Sequence, residues 1–412
     1  FKTRVEKFYL FFDAWFSLFK RKIGETEYGI GWIPLGGYVK ISGMIDESMD
    51  KEQMKQPPQP HEFRSKTSGQ RLLIMTAGVI FNFISALIIY VCVLYTWGVT
   101  YLPTSNVKYG IVTDSAGYQI GLRNGDKIIS IDNQKIEDFN EITSDLILND
   151  RKTIQVDRNG EPLNISVPDD FIAKMLKGNG KIEPRTPFRP YVISAFGKES
   201  PGKTAGLLEG DELVGIDGNN FEWFDEFQKY LSDNRSTQVV VNIMRNGGQV
   251  DIPVVPTVDG LLGIGSSRTL DQIFELKTIN YGFLASIPAG ISKGFKTIGD
   301  YLKQFKVIFS PGTKAYESLG GFITIGSIFP GVWDWQSFWN LTALLSIILA
   351  VMNILPIPAL DGGHVMFLLY EVITGRKPSD KFLEYAQITG MVILFALLIF
   401  ANGNDILRLI RK

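Results

Sequence analysis

From Ser337 to Gly363 the chain carries one charged side chain, Asp361, at the end of an apolar run long enough to cross a membrane. A lone carboxylate at that depth costs about 2.5–3.5 kcal/mol on insertion scales, so it has to meet a cavity, a partner or an ion. Pro356 and Pro358, just ahead of it, each remove a backbone donor and interrupt regular helix. Broken backbone inside a bilayer is tolerated only where protein buries it or where it lines a watery cavity. Composition leaves two readings open. One is a helix end fraying into the interface, where an Asp is cheap; the other is a metal or proton site within the bilayer.

Leu72–Val99 and Tyr385–Gly403 are also free of charge, and roughly 20 residues span a hydrocarbon core. Three spans therefore frame the chain. Charged residues still make up 21% of it and the mean hydropathy is only +0.07, so a large water-facing part accompanies the spans. A net charge of −1 leaves no electrostatic footprint for nucleic acid, which is not expected as a partner. The single cysteine, Cys92, lies in the first span and excludes a disulfide framework. The chain opens on Phe1 with no signal peptide, and a segment is expected to be missing ahead of it.

Between the first two spans an internal repeat appears. Ser115-Ala116-Gly117 precedes Gly121-Leu122-Arg123-Asn124-Gly125-Asp126, and Ser200-Pro201-Gly202 precedes Gly206-Leu207-Leu208-Glu209-Gly210-Asp211. Each copy reads as a short helix stopped by Gly, a Gly-Asp turn and a strand, followed by a helical stretch and a strand pair. Arg158-Asn159-Gly160 and Arg245-Asn246-Gly247 are the hairpin turns, because Asn-Gly suits positive φ. The pattern resembles two tandem PDZ domains of the circularly permuted bacterial kind. They serve either as spacers or as modules that capture peptide C-termini by strand addition, and fold alone does not decide between these.

Lys20-Arg21-Lys22, Arg64, Lys66 and Arg71 precede the first span, and Arg376, Lys377 and Lys381 separate the second and third. This bias puts both regions in the cytoplasm and the repeat outside, although Arg408, Arg411 and Lys412 run against it. Tyr281–Phe309 spaces Lys293, Lys296, Lys303 and Lys306 among apolar residues, as in a helix lying on the membrane surface or packed on the repeated domains. Tyr28–Val39 has strand propensity, glycine punctuation and no charge. It is either an interfacial hairpin or a strand whose free edge meets an extended peptide. Gly320-Gly321-Phe322-Ile323-Thr324-Ile325-Gly326 reads similarly, ahead of the interfacial Trp333 and Trp335.

The Asn-x-x-Pro-x-Pro-x-Leu-Asp-Gly-Gly run at Asn353–Gly363 resembles the signature of the site-2 proteases, a family of intramembrane zinc metalloproteases. Ile33-Pro34-Leu35-Gly36-Gly37-Tyr38-Val39-Lys40, the Gly69-Gln70-Arg71 entry to a span, Ala77-Gly78 and Asn82-Phe83 match as well. The resemblance covers about Arg4 to Arg408. It implies Zn2+ as cofactor with Asp361 as one ligand, and a single-pass membrane protein, such as an anti-sigma factor, as substrate. It also implies substrate contacts from Asn353 and from Gly29, Ile30, Gly31, Gly36 and Gly37. On residues alone Asn353 reads equally as a helix-to-helix hydrogen bond, and Asn82 as packing between helices.

One part of the pattern is absent. The family carries His-Glu-x-x-His on a first transmembrane helix, supplying two zinc ligands and the general base, whereas this chain has only His61 and His364. His61-Glu62-Phe63-Arg64-Ser65 lacks the second His and follows the polar, proline-rich Gln56–Pro60, so it is a decoy. His364 is a weak candidate ligand, three residues after Asp361. No catalytic residue is therefore assigned in this chain, and the Glu is expected on the missing helix.

The expected fold is a membrane α-helical bundle of the site-2 protease kind with two periplasmic α/β PDZ domains inserted between transmembrane helices. Residues 1–71 form a cytoplasmic loop with a re-entrant β-segment at 28–40. A transmembrane helix at 72–99 leads to PDZ domains at 100–185 and 186–268 and an interfacial region at 269–336. A transmembrane helix at 337–363, a cytoplasmic loop at 364–384, a transmembrane helix at 385–403 and a tail at 404–412 complete the chain. The location expected is a bacterial inner membrane, with lipid as a further partner and the PDZ pair filtering substrates by size. The rival reading is an inactive, membrane-anchored PDZ scaffold.

Overall fold

The computed structural model describes residues 1–34, 36–44, 57–177 and 182–411. They form two compact units, one of residues 1–97, 282–301 and 319 onward, the other of residues 98–281 and 302–318.

The first unit opens with a four-stranded sheet of β1 (Val5–Tyr9), β2 (Phe12–Ile23), β3 (Thr26–Ile33) and β4 (Tyr38–Ile41). Its order is β2-β3-β1-β4, with β1 parallel to β3 and the other pairs antiparallel. Aromatic residues favour such pleated, half-buried surfaces, and residues 5–23, expected as loop, are drawn into strands. The expected free edge at Gly29–Gly31 is corrected by this order. β3 is an interior strand, Gly29 being registered with Lys20 of β2 and Tyr9 of β1, and the sheet's outer strands are β2 and β4. Glycine is obligatory at Gly31, where a Cβ would stand 2.0 Å from the Phe12 carbonyl oxygen. Trp15 and Phe16 stay exposed and stack on Trp32 at 6.1 and 5.6 Å. The first long helix, α1 (Ser68–Trp97), follows.

The second unit holds two β domains with separate apolar cores. The first contains β5 (Val99–Tyr101), β6 (Ile111–Thr113), α2 (Ser115–Ile120), β7 (Lys127–Ile131), α3 (Glu141–Leu148), β8 (Thr153–Arg158), β9 (Glu161–Ser166), α4 (Phe171–Lys177) and β10 (Ile182–Pro184). The second contains β11 (Tyr191–Phe196), α5 (Pro201–Ala205), β12 (Glu212–Ile216), α6 (Phe224–Asp233), β13 (Val239–Arg245), β14 (Gly248–Val254) and β15 (Ile264–Ser266). Then β16 (Lys277–Ile279) returns to pair with β5. The repeated sequence does the same work twice. Gly121 and Gly206 end α2 and α5 in the left-handed region, at φ 104° and 102°. Asn159-Gly160 and Asn246-Gly247 turn their hairpins with both residues at positive φ. Between the domains Arg185 donates to Asp225 at 2.9 Å and lies 4.5 Å from the Trp223 ring.

The remaining helices are α7 (Phe283–Phe309), α8 (Phe322–Ser327), α9 (Trp335–Ile354), α10 (Asp361–Thr374) and α11 (Asp380–Arg411). Among the described residues three helices are long and apolar enough to cross a membrane: α1, α9 and α11. α9 packs on α1 through a buried face of Ala343, Ile347 and Ala350, small residues easing close approach. Ser346 Oγ donates to the Asn82 carbonyl at 2.8 Å. The start of α7 also lies on α1, since a Cβ at Gly290 would sit 2.6 Å from Val91 Cγ2. Its Lys293 reaches Asn340 of α9 at 2.8 Å. Two expectations are corrected here. The Gly320–Gly326 segment forms the short helix α8, because Asp405 of α11 accepts from the Gly321 and Thr324 amides at 2.9 and 3.0 Å. Much of the loop expected at 364–384 is α10, whose apolar residues pack on α1.

Candidate metal centre

α9 stops at Ile354 because Pro356 and Pro358 have no N–H to continue it. The backbone turns tightly instead, with Leu355 N to Met352 O at 3.2 Å, Ile357 N to Leu355 O at 2.7 Å and Leu360 N to Ile357 O at 3.0 Å. Ala359 is held at φ 80°, a strained setting that costs on the order of 1–3 kcal/mol. Helix resumes at Asp361, the first residue of α10, where the macrodipole favours a carboxylate by about 0.3–1 kcal/mol.

The glycines around this break are there for want of space. A Cβ at Gly362 would lie 2.2 Å from the Leu355 carbonyl oxygen, and one at Gly363 2.7 Å from that of Ile357. From α11, a Cβ at Gly390 would lie 1.7 Å from the Pro358 carbonyl oxygen. Gly390 was missed in the sequence; an isolated glycine in an otherwise apolar span was its only signal.

Asp361 is half-buried and makes no hydrogen bond or ion pair among the described residues. Its Oδ2 faces Gly78 of α1, 3.9 Å from where a Cβ would stand. Asn353, the last residue but one of α9, is also half-buried and without a partner among the described residues. The two unpaired polar side chains flank the irregular segment within an apolar environment, where such groups are expensive unless something binds them. A carboxylate without a partner among the described residues fits one oxygen ligand of a divalent cation. Among the described residues no group of three or more His, Cys, Asp or Glu is placed to hold a metal, and a tetrahedral site takes three donors beyond a single carboxylate. His364 lines a different cavity, with Arg71 and Glu371, to which Asp361 does not contribute. The His61 carbonyl accepts from Arg4 N at 3.0 Å.

The other candidate residues lie in the sheet. Gly29, Ile30 and Gly31 are in β3. Gly36, at φ 140°, and Gly37 lead into β4, and a Cβ at Gly37 would be 2.4 Å from the Tyr9 carbonyl oxygen. Leu35 lies outside the described residues. No hydrogen bond joins these glycines to Asn353 or Asp361 among the described residues.

The sequence pattern of Peptidase family M50 matches residues 1–397. The chain belongs to peptidase family M50. Relatives of this M50 chain include the Regulator of sigma E protease of Haemophilus influenzae, 29% identical over 402 residues, 93% of this chain and 88% of the relative. The Regulator of sigma-E protease RseP of Salmonella typhimurium is 28% identical over 434 residues, 99% of this chain and 92% of the relative. A Vibrio cholerae protein with a zinc metalloprotease name is 29% identical over 436 residues, with the same shares. The protease resemblance read from Asn353–Gly363 is borne out, and the M50 chain is a membrane peptidase with a helical core and β domains.

Proposed function

We propose that this chain is an intramembrane zinc metalloendopeptidase of the site-2 type, cutting a transmembrane segment of a single-pass membrane protein such as an anti-sigma factor. The observation that carries this reading is Asp361, an unpartnered carboxylate at a proline-broken helix within an apolar span. The names of the relatives, regulator of sigma E protease and zinc metalloprotease, support the same chemistry.

Asp361 would hold the metal through a carboxylate oxygen. The family resemblance assigns two His ligands and the general-base Glu to a His-Glu-x-x-His helix, which none of these residues forms. Bound zinc brings the pKa of its water to about 7 and polarises a scissile carbonyl. The broken segment around Pro356 and Pro358 leaves carbonyls that water can solvate, which gives the nucleophile a route in. A helical substrate hides its peptide bonds and has to unwind first. The Asn353 amide then holds the exposed backbone, and an open sheet edge pairs with it. In this reading Gly29, Ile30 and Gly31 build the strand that supports the open β2 edge, while Gly36 and Gly37 set the turn into the open β4 edge.

The two β domains take the role of circularly permuted PDZ modules on the periplasmic side of a bacterial inner membrane. There they admit substrates whose outer part has been trimmed, and bind peptide C-termini. Metal analysis of the full-length protein tests the centre. About one zinc per chain, lost together with cleavage of a helical membrane peptide in Asp361→Ala, is the expected result. Zinc retained in that variant removes Asp361 as a ligand. No zinc and no cleavage in the wild type leaves the membrane-anchored scaffold.

A further inference from the structure

Asp361 owes its place to a pair of helices. α10 packs on α1, and the two meet at three points along their length. At one end Asp361 Oδ2 stands 3.9 Å from a Cβ built at Gly78. In the middle Leu368 and Met75 share a buried apolar cluster with Phe63. At the far end Arg71 Nη2 donates to Glu371 Oε1, which also accepts from Ser68 Oγ at 3.0 Å. Residue numbers rise along α10 as they fall along α1 from one meeting point to the next, so the helices run antiparallel. The ion pair lies about 15 Å of helix from Asp361 and about 10 Å from Gly78.

The apolar part of this contact does not choose the alignment. On α1, Leu72, Met75 and Val79 recur at helical spacing, so a slip of one turn, about 5.4 Å, meets similar side chains again. In a bilayer, lipid tails compete with any apolar helix face, and burial expresses little preference between alignments. The ion pair is different. The Arg71 and Glu371 side chains are only 10% and 15% exposed. A slip that parts them strands two charges in an apolar setting, where desolvation makes that costly. Arg71 is also tied to the approach to its own helix, its Nε donating to the Lys66 carbonyl at 3.1 Å. Setting a register is the best-attested use of a buried polar pair.

A metal ligand needs that choice made. Metal–oxygen distances hold to about 0.2 Å, whereas one turn of slip carries the carboxylate past Gly78 altogether. We infer that Arg71 and Glu371 are positioning residues for the metal ligand. Their ion pair pins α10 on α1 in the alignment that sets Asp361 beside Gly78. The inference rests on the metal reading of Asp361 and adds to it two residues that touch neither metal nor substrate.

Arg71→Met combined with Glu371→Leu in the full-length protein tests it. Replacing a buried ion pair by apolar residues of similar volume commonly leaves stability intact while removing its directionality. Zinc affinity is read by chelator competition. Alignment is read without metal, from the distance between spin labels on Leu73→Cys of α1 and Ile373→Cys of α10, both exposed positions, with Cys92→Ser removing this chain's own thiol. The double variant is expected to keep its melting temperature and to bind zinc roughly tenfold more weakly. Its interlabel distance is expected to broaden or to move by about one helical turn. Leu368→Ala is the control, expected to lower the melting temperature with zinc affinity and mean distance unchanged. Should the double variant not fold, Glu371→Asp draws the carboxylate back by one methylene and is expected to change zinc affinity and distance in the same sense. An unchanged distance in whichever variant folds, or an equal loss of zinc affinity in Leu368→Ala, overturns the inference. A wild type without zinc removes the metal reading of Asp361 instead, and the distances alone then decide whether the pair sets the alignment.

Discussion

Arg158 grips Asp126 with two guanidinium nitrogens, Nε to Oδ1 and Nη2 to Oδ2, both at 2.7 Å. The same Nη2 also reaches the carbonyl of Gly121, the glycine that ends α2. The second β domain repeats the clamp with Arg245, Asp211 and Gly206. Each hairpin turn is thereby bolted to the Gly-Asp turn preceding its neighbouring strand.

Because Asp126 is 1% exposed, removing its partner strands a buried charge. Arg158→Met is expected to destabilise the first β domain by about 2–3 kcal/mol. Hydrogen-exchange protection along β7 and β8 reads this directly, and protection in β13 and β14 is expected to be unchanged.

The Arg245 guanidinium holds the Asp211 carboxyl below the ordinary carboxylate range. A carboxyl whose folded pKa lies below its unfolded value of about 3.9 contributes stability above that value and loses it as pH falls through the folded pKa. Acid unfolding of the second β domain is therefore expected to shift to higher pH in Arg245→Met, with a shallower limb below pH 4. Protection in β12 and β13 followed down a pH series checks both features.

Gly390→Ala forces a methyl into the Pro358 carbonyl, which a Cβ would approach to 1.7 Å. Overpacking of this kind costs about 1–3 kcal/mol, so lower thermal stability and reduced cleavage are expected together. Gly403 on the same helix has nothing within 4 Å of its added Cβ, and Gly403→Ala is the matched control, expected to leave both unchanged.

A Cβ at Gly78 would stand 3.9 Å from Asp361 Oδ2. Gly78→Ala places a methyl at ordinary contact distance and is expected to be tolerated. Gly78→Leu fills the space a cation needs and is expected to lower zinc content by metal analysis, while Arg71 and Glu371, nearer the start of α1, keep the helices paired.

Asn353→Ala removes an amide that has no protein partner to lose among the described residues. Stability is expected to hold and zinc to stay bound, while kcat/KM for a membrane peptide falls roughly tenfold. A loss of stability with unchanged kcat/KM identifies Asn353 as helix packing instead.

The parts of this fold legible in the sequence were those written locally. The apolar spans, the Asn159-Gly160 and Asn246-Gly247 turns and the glycine stops at Gly121 and Gly206 each declare themselves within a few residues. The Asp126–Arg158 clamp did not, because its partners are separated by an intervening helix and strand. Nor did β1 and β2: the aromatic run from Phe8 to Phe19 lacks strict alternation, and β1 becomes a strand only by pairing in parallel with β3. α8 reads as a strand from its β-branched residues, and the distant Asp405 overrides that preference by accepting its amides. At the candidate centre the motif located Asp361 and Asn353, while the close approach of Gly390 to Pro358 depends on a helix that follows the motif in the chain.

In the amino-terminal sheet, the earliest strand to be synthesised occupies an inner slot, with β3 on one side and β4 on the other. Both neighbours leave the ribosome after it. The hairpin of β2 and β3 can close as soon as Ile33 emerges and β1 can then dock on β3, but the other edge of β1 has no partner until Ile41 is available. The sheet is therefore complete only when its last strand is made, and Val5–Tyr9 keeps one edge unpaired until then.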